Sequence, residues 1–151
     1  MADTGGLRNE KSLTEEQKCQ VIEYAVSLGM PENRIRFLEH APTAYWDDLD
    51  ALTVGTDVLP LRERSNNPNS NVSLRGTIAH EIVGHREAVI KGIAQPIEVL
   101  EEAQASIRAA RFAPELSPQE RTDLLKDGIS RLRKRGIALK SVKHKLHINE
   151  R

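Results

Sequence analysis

Arg75-Gly76-Thr77-Ile78-Ala79-His80-Glu81-Ile82-Val83-Gly84-His85-Arg86-Glu87 is the stretch whose reading decides the fold. It sets two histidines and a glutamate inside an otherwise apolar, helix-forming run. His80 and His85 are five residues apart. At about 100° per residue that spacing leaves them about 140° apart around an ideal α-helix, on different faces. A single π-turn absorbs one extra residue, and such bulges favour functional sites. Gly84, the weakest helix former of the run, sits where that distortion is needed. The expectation is therefore a bulged helix over about 74–91, started by Ser73 as a cap.

Working outward, the flanks supply more helices and only short strands. Upstream, Ser12 with Glu15 or Thr14 with Gln17 offers a capping box. A helix follows to about Leu28, with Gly29 as its stop. Ile35-Arg36-Phe37-Leu38 alternates like a short strand, and Leu52–Leu59 reads as a second one, bent at Gly55 and stopped by Pro60. Residues 39–50 are irregular and acidic. Ser65–Asn71 is the clearest loop. Downstream, Pro96 starts a helix to about Phe112. Ser117-Pro118-Gln119-Glu120 starts another, which runs to Arg135 with Gly136 behind it. The tail 137–151 is expected to form a short strand or lie along the surface. This predicts an α+β fold with a small sheet packed on several helices. Residues 1–12 form a flexible lead-in and 13–151 a single domain.

Composition narrows the function classes. The chain has 151 residues, 38% hydrophobic and 29% charged, ordinary for a folded protein and too apolar for disorder. Aromatics make up 3%, so the core must rest on Leu, Ile, Val and Ala. One cysteine, Cys19, excludes an internal disulfide framework and a Cys-based zinc site. No apolar run approaches 18 residues and no signal peptide is visible, so no membrane segment is expected. The expected location is the cytoplasm in which the chain is made, with secretion or delivery into a target cell without an N-terminal signal left open. Net charge is zero, but residues 1–75 carry 8 basic and 12 acidic side chains (−4) and residues 76–151 carry 14 and 10 (+4). The excess around Arg131–Lys145 suits a solvated helix end better than a phosphate-binding surface, which disfavours nucleic acid as a partner.

The chemistry lies with the histidines. His80-Glu81 followed by His85 resembles the zinc-peptidase pattern H-E-x-x-H, with one residue more between the histidines. Zinc takes imidazole and carboxylate ligands and, in catalytic sites, leaves one position for water. A third ligand is expected downstream. On the helix beginning at Pro96, Glu102 lies nearer the apolar face than Glu101, and its neighbours Ala105, Ser106 and Ala109 are small enough for close helix approach. Glu102 is the favoured ligand and Glu101 the alternative.

A Glu followed by small residues some 17 positions after the second His resembles the gluzincin branch of zinc metallopeptidases over residues 50–112. That resemblance implies that His80, His85 and Glu102 bind zinc and that Glu81 activates the zinc-bound water. The longer pattern of Gly55-Thr56-Asp57-Val58, Arg75-Gly76, His80 to Arg86 and Glu101 to Arg108 is similar to zincin-like C-terminal toxin domains of bacterial polymorphic toxins, including Rhs-type proteins. Their junction has the form D-P-x-G-L, which Asp3-Thr4-Gly5-Gly6-Leu7 resembles with Thr in place of Pro. The implied activity is a zinc metalloprotease acting as a toxin or effector hydrolase on a protein or peptide substrate, countered by a cognate immunity protein. His147 and Tyr45 are candidate accessory groups. Two other classes compete: a metal-dependent nuclease toxin using the His pair and the basic C-terminal region, and a non-catalytic helical interaction module.

Overall fold

The computed structural model describes residues 6–151, so Asp3, Thr4 and Gly5 of the junction-like motif lie outside the described residues. Helix α1 (Glu15–Ser27) starts at Thr14, whose hydroxyl accepts from the Gln17 amide while the Gln17 side chain accepts from the Thr14 amide. That reciprocal pair satisfies two otherwise orphaned donors. The helix buries Val21, Tyr24 and Ala25, and Gly29 ends it at φ +101°. Three short strands follow: β1 (Ile35–Phe37), β2 (Ala44–Trp46) and β3 (Ala51–Val54). The sheet order is β1-β3-β2, with β1 parallel and β2 antiparallel to β3. The expected α+β class, a small sheet against several helices, is what the chain adopts.

The sheet differs from expectation in two ways. The second expected strand stops at Val54, and Thr56–Val58 form a 3₁₀ turn. Asp57 turns back to accept from the Thr43 amide (2.9 Å) and hydroxyl (2.6 Å), while the Gly55 amide donates to that hydroxyl. A side chain at Gly55 would put its Cβ 1.8 Å from the Ala41 carbonyl oxygen. Strand β2, which pairs with the central β3 and forms one of the two sheet edges, lies inside the segment expected to be irregular.

Helix α2 (Leu74–Ala79) is capped by Ser73, whose hydroxyl accepts from the Gly76 amide, and runs into a π-helix over His80–Arg86. Helix α3 (Glu87–Lys91) completes the rod and ends at Gly92, φ +71°. Helix α4 (Glu98–Phe112) and helix α5 (Pro118–Arg133) pack on it. Ser117 and Glu120 form the expected capping box on α5. One core joins α1, the sheet, α2, the π-helix and the C-terminal half of α4 through Val21, Leu52, Val54, Ile78, Ile82 and Ala109. A second joins α4 and α5 to the tail through Leu100, Ala103, Ile107, Leu132, Leu146 and Ile148.

Arg8, near the start of the described residues, and the C-terminal tail are both tied to this body. Arg8 donates to the carbonyls of Asp57 (2.9 Å), Val58 (3.3 Å) and Asn69 (2.5 Å) and to the Thr77 hydroxyl (2.9 Å). The tail forms helix α6 (Leu139–Val142) and a 3₁₀ turn rather than a strand. Arg108 donates to the carbonyls of His147 and Glu150, and Arg111 to that of Ile148. Among the described residues no helix is long and apolar enough to cross a membrane.

Candidate metal centre

The π-helix decides the geometry. At its end the Glu87 amide bonds the Ile82 carbonyl, five residues back, so the rod widens by one residue where the five-residue histidine spacing requires it. The imidazoles then meet edge to face, with centroids 4.7 Å apart and planes at 83°. Their Nε2 atoms are 3.1 Å apart. Gly84 lets the facing helix close in: a Cβ there would stand 2.6 Å from the Ala105 Cβ and 2.7 Å from its Cα.

Helix α4 brings its acids to the pair from that short distance. Glu102 straddles the histidines, with Oε1 at 3.1 Å from His80 Nε2 and Oε2 at 3.0 Å from His85 Nε2. Glu101 turns to the far side of the second ring, with Oε2 2.7 Å from His85 Nδ1, and its other oxygen accepts from the Gln95 amide at 2.7 Å. The two candidate acids thus take different places: Glu102 faces the convergent nitrogens and Glu101 stands behind one of them. His80 Nδ1 meets the buried Ser106 hydroxyl at 2.8 Å.

Glu81 lies beside this group. One nitrogen of each histidine and one Glu81 oxygen lie within 4.8 Å of one another, so His80, Glu81 and His85 form a group that could hold a metal ion. Glu102 comes nearer, since Glu81 Oε2 is 3.8 Å from His80 Nε2. The other Glu81 oxygen accepts from the Tyr45 amide on β2 at 2.9 Å. Burial raises the Glu81 carboxyl above its ordinary pKa, and the neighbouring Glu102 charge adds to this; the two imidazoles and the amide pull the other way. Burial also opposes charge on His85, but the hydrogen bonds it donates to Glu101 and Glu102, with the Glu81 and Glu102 charges, prevail and lift its pKa well above 6.5. Glu102 is pushed up by burial, yet the two imidazoles hold it well below the usual carboxylate range. A tight knot of acids and imidazoles of this kind needs a positive charge among its facing atoms, a proton or a metal ion.

The site opens into a cleft of about 400 Å³, with Trp46 and Val89 on its walls and Asp127 and Arg131 at the α5 side. The accessory candidates lie differently from expectation. Tyr45 lines the cleft, but its hydroxyl is spent on Asp50 at 2.7 Å, and Asp50 in turn is gripped by Arg86 at 2.8 Å. What Tyr45 offers the centre is its amide. His147 lines a separate cavity of about 330 Å³ with His144 and Lys143, because Leu146 is drawn into the second core and turns the tail away from the cleft. Sequence reasoning missed Asp127 and placed Arg131 in a basic run expected to be a solvated helix end, whereas the Arg131 side chain is 13% exposed and bonds Asp127 at 3.0 Å. Their signal was an acid among Leu124, Gly128 and Leu132 on the apolar side of its helix, with an arginine one turn on.

No protein-family model, curated protein or solved structure matches the chain.

Proposed function

We propose that the chain is a zinc-dependent peptide-bond hydrolase in which His80, His85 and Glu102 hold the ion and Glu81 handles the proton. The observation that carries this reading is the convergence of His80 Nε2, His85 Nε2 and Glu102 at 3.0–3.1 Å from one another, with Glu81 alongside. Ligands about 2.0–2.2 Å from a tetrahedral zinc ion are separated by about 3.3–3.5 Å. The observed spacing falls a few tenths of an ångström short, which small side-chain rotations supply. Two imidazoles and one carboxylate suit zinc, with a position left over for water or substrate.

A zinc ion held there would supply Lewis-acid polarisation of the scissile carbonyl and acidify the attacking water. This chain's own residues do the rest. Glu81, fixed by the Tyr45 amide, takes the water's proton and delivers it to the leaving amine. Its raised pKa brings it nearer to neutral, where a base can both accept and return a proton. Glu101 holds the His85 ring through Nδ1, which keeps Nε2 turned to the centre. Strand β2, one of the two sheet edges, lines the cleft through Ala44, Tyr45 and Trp46 and gives an extended peptide a wall to lie along.

The biological setting we propose is a bacterial toxin or effector with a cognate immunity protein, and it rests on the motif likeness alone. The test uses tag-free protein. Wild type purifies with zinc and cleaves an unfolded protein substrate such as casein; Glu81→Gln keeps zinc and loses cleavage; His80→Ala loses both. Hydrolysis retained by Glu81→Gln would refute the mechanism. Degradation of RNA or plasmid DNA instead of casein would move the activity to the nuclease class. Absence of zinc, with no thermal shift on adding it, would leave an interaction module.

A further inference from the structure

The centre orients its two histidines by different means. His85 Nδ1 faces a carboxylate directly, whereas His80 Nδ1 faces a hydroxyl. That hydroxyl, Ser106 Oγ, lies 2.6 Å from Asp127 Oδ2, which also accepts from Arg131 Nε at 3.0 Å, while Asn69 Nδ2 donates to Asp127 Oδ1 at 3.3 Å. Ser106 is fully buried and Asp127 is 2% exposed. The direction of the chain of bonds follows from what each group can do. An ionised carboxylate only accepts, so the single hydroxyl proton of Ser106 goes to Asp127. With that proton spent, Ser106 Oγ can only accept from His80, so the ring carries its proton on Nδ1. Nε2 is left with its lone pair turned toward Glu102 and the facing Nε2.

We infer that Ser106 is a positioning residue for the metal centre, relaying the Asp127 charge to His80 and fixing the tautomer in which Nε2 is the ligand atom. The placement is economical in helix geometry. Ser106 follows Glu102 by four residues, one turn along the same face of α4, so one helix supplies both the inner carboxylate and the relay hydroxyl. The charge comes from α5, packed against it. Gly84 and Ala105 bring the π-helix and α4 nearly into backbone contact, which sets the short hydroxyl of Ser106 within 2.8 Å of His80 Nδ1. A group that orients a ligating imidazole is typically worth 10–100-fold in metal affinity.

This inference rests on the metal reading, and the experiment separates the two. Zinc affinity of the full chain is measured by competition with a chelator for wild type, Ser106→Ala, Asp127→Asn and the double variant. Ser106→Ala, a small change on a helix that Ala favours, should fold and raise the zinc Kd about tenfold. Asp127→Asn should weaken zinc in the wild-type background and weaken it less in the Ser106→Ala background, where only its hold on Arg131, 3.6 Å from Glu102 Oε1, is left to act. Long-range ¹⁵N–¹H NMR of the zinc-loaded wild type should show the His80 proton on Nδ1. A folded Ser106→Ala protein with zinc Kd within twofold of wild type would overturn the relay, as would a His80 proton on Nε2 or additive losses in the double variant. A wild type that binds no zinc would overturn the metal reading and the relay with it.

Discussion

Gly84 was legible as the point where the helix must give, but for an incomplete reason. Its poor helix propensity marks the site of distortion, whereas the structure adds a steric demand that no local pattern encodes. A Cβ at that position would enter the backbone and side chain of Ala105, three residues after Glu102. Backbone atoms cannot swing aside, so α4 would have to move off as a unit, carrying Glu101, Glu102 and Ser106 with it. Gly84→Ala is therefore expected to gain helix propensity and still lose about 1–3 kcal/mol, the usual range for overpacking. Zinc binding should weaken in parallel. Denaturant unfolding and chelator competition on the same variant check both; a protein stabilised by the substitution would show that the close approach is not required. The choice between Glu101 and Glu102 was legible to the same depth. Helical phase placed Glu102 nearer the apolar side, but the part played by Glu101, behind His85 Nδ1, depends on where the π-helix puts that ring.

Helices were readable wherever the chain spells out their ends. Thr14 with Gln17, Ser73, and Ser117 with Pro118 and Glu120 each satisfy orphaned amides locally, so the signal survives without tertiary context. Strand β2 had no such signal. Three residues, Ala44-Tyr45-Trp46, become a strand because β3 pairs with them, and only that pairing shows that the Tyr45 amide, not its hydroxyl, serves the centre. The tail was legible in part. Most of it lies along the surface, one of the two expected forms, but Leu146 and Ile148 dock it, with Ile137, Leu139 and Val142 packed beside them and Arg108 and Arg111 taking up its carbonyls. The depth of Leu146, fully buried beside Leu100, Ile107 and Leu132, sets the expected cost of Leu146→Ala at about 2–4 kcal/mol. Zinc content should stay at the wild-type level, since this core lies on the other side of α4 from the histidines. Thermal unfolding with and without zinc checks this, and a loss below about 0.5 kcal/mol, the range of ordinary surface substitutions, would mean that the tail is not part of the folded unit.

On the scale of the whole molecule, the two tyrosines join parts that are distant in sequence. Tyr24 on α1 donates to the Pro114 carbonyl between α4 and α5, and Tyr45 on β2 donates to Asp50, which Arg86 ties to the π-helix. Burial raises both phenols to about 12 from an ordinary 10.0, helped at Tyr45 by the hydrogen bond to Asp50. The fold thus favours the neutral phenol at both positions. Below pH 10 the folded and unfolded chains both hold these protons, and stability does not depend on them. Between pH 10 and 12 the unfolded chain releases them while the folded one retains them, so stability falls over that window and levels off above it. Because the chain has only Tyr24 and Tyr45, tyrosinate absorbance reads these two groups alone. The expected titration is steep, delayed beyond pH 10, and coincident with loss of the helical circular dichroism signal. A gradual rise centred at pH 10 with the dichroism unchanged would mean that neither hydroxyl is held, and that α1 and the sheet meet the helices by apolar contact alone.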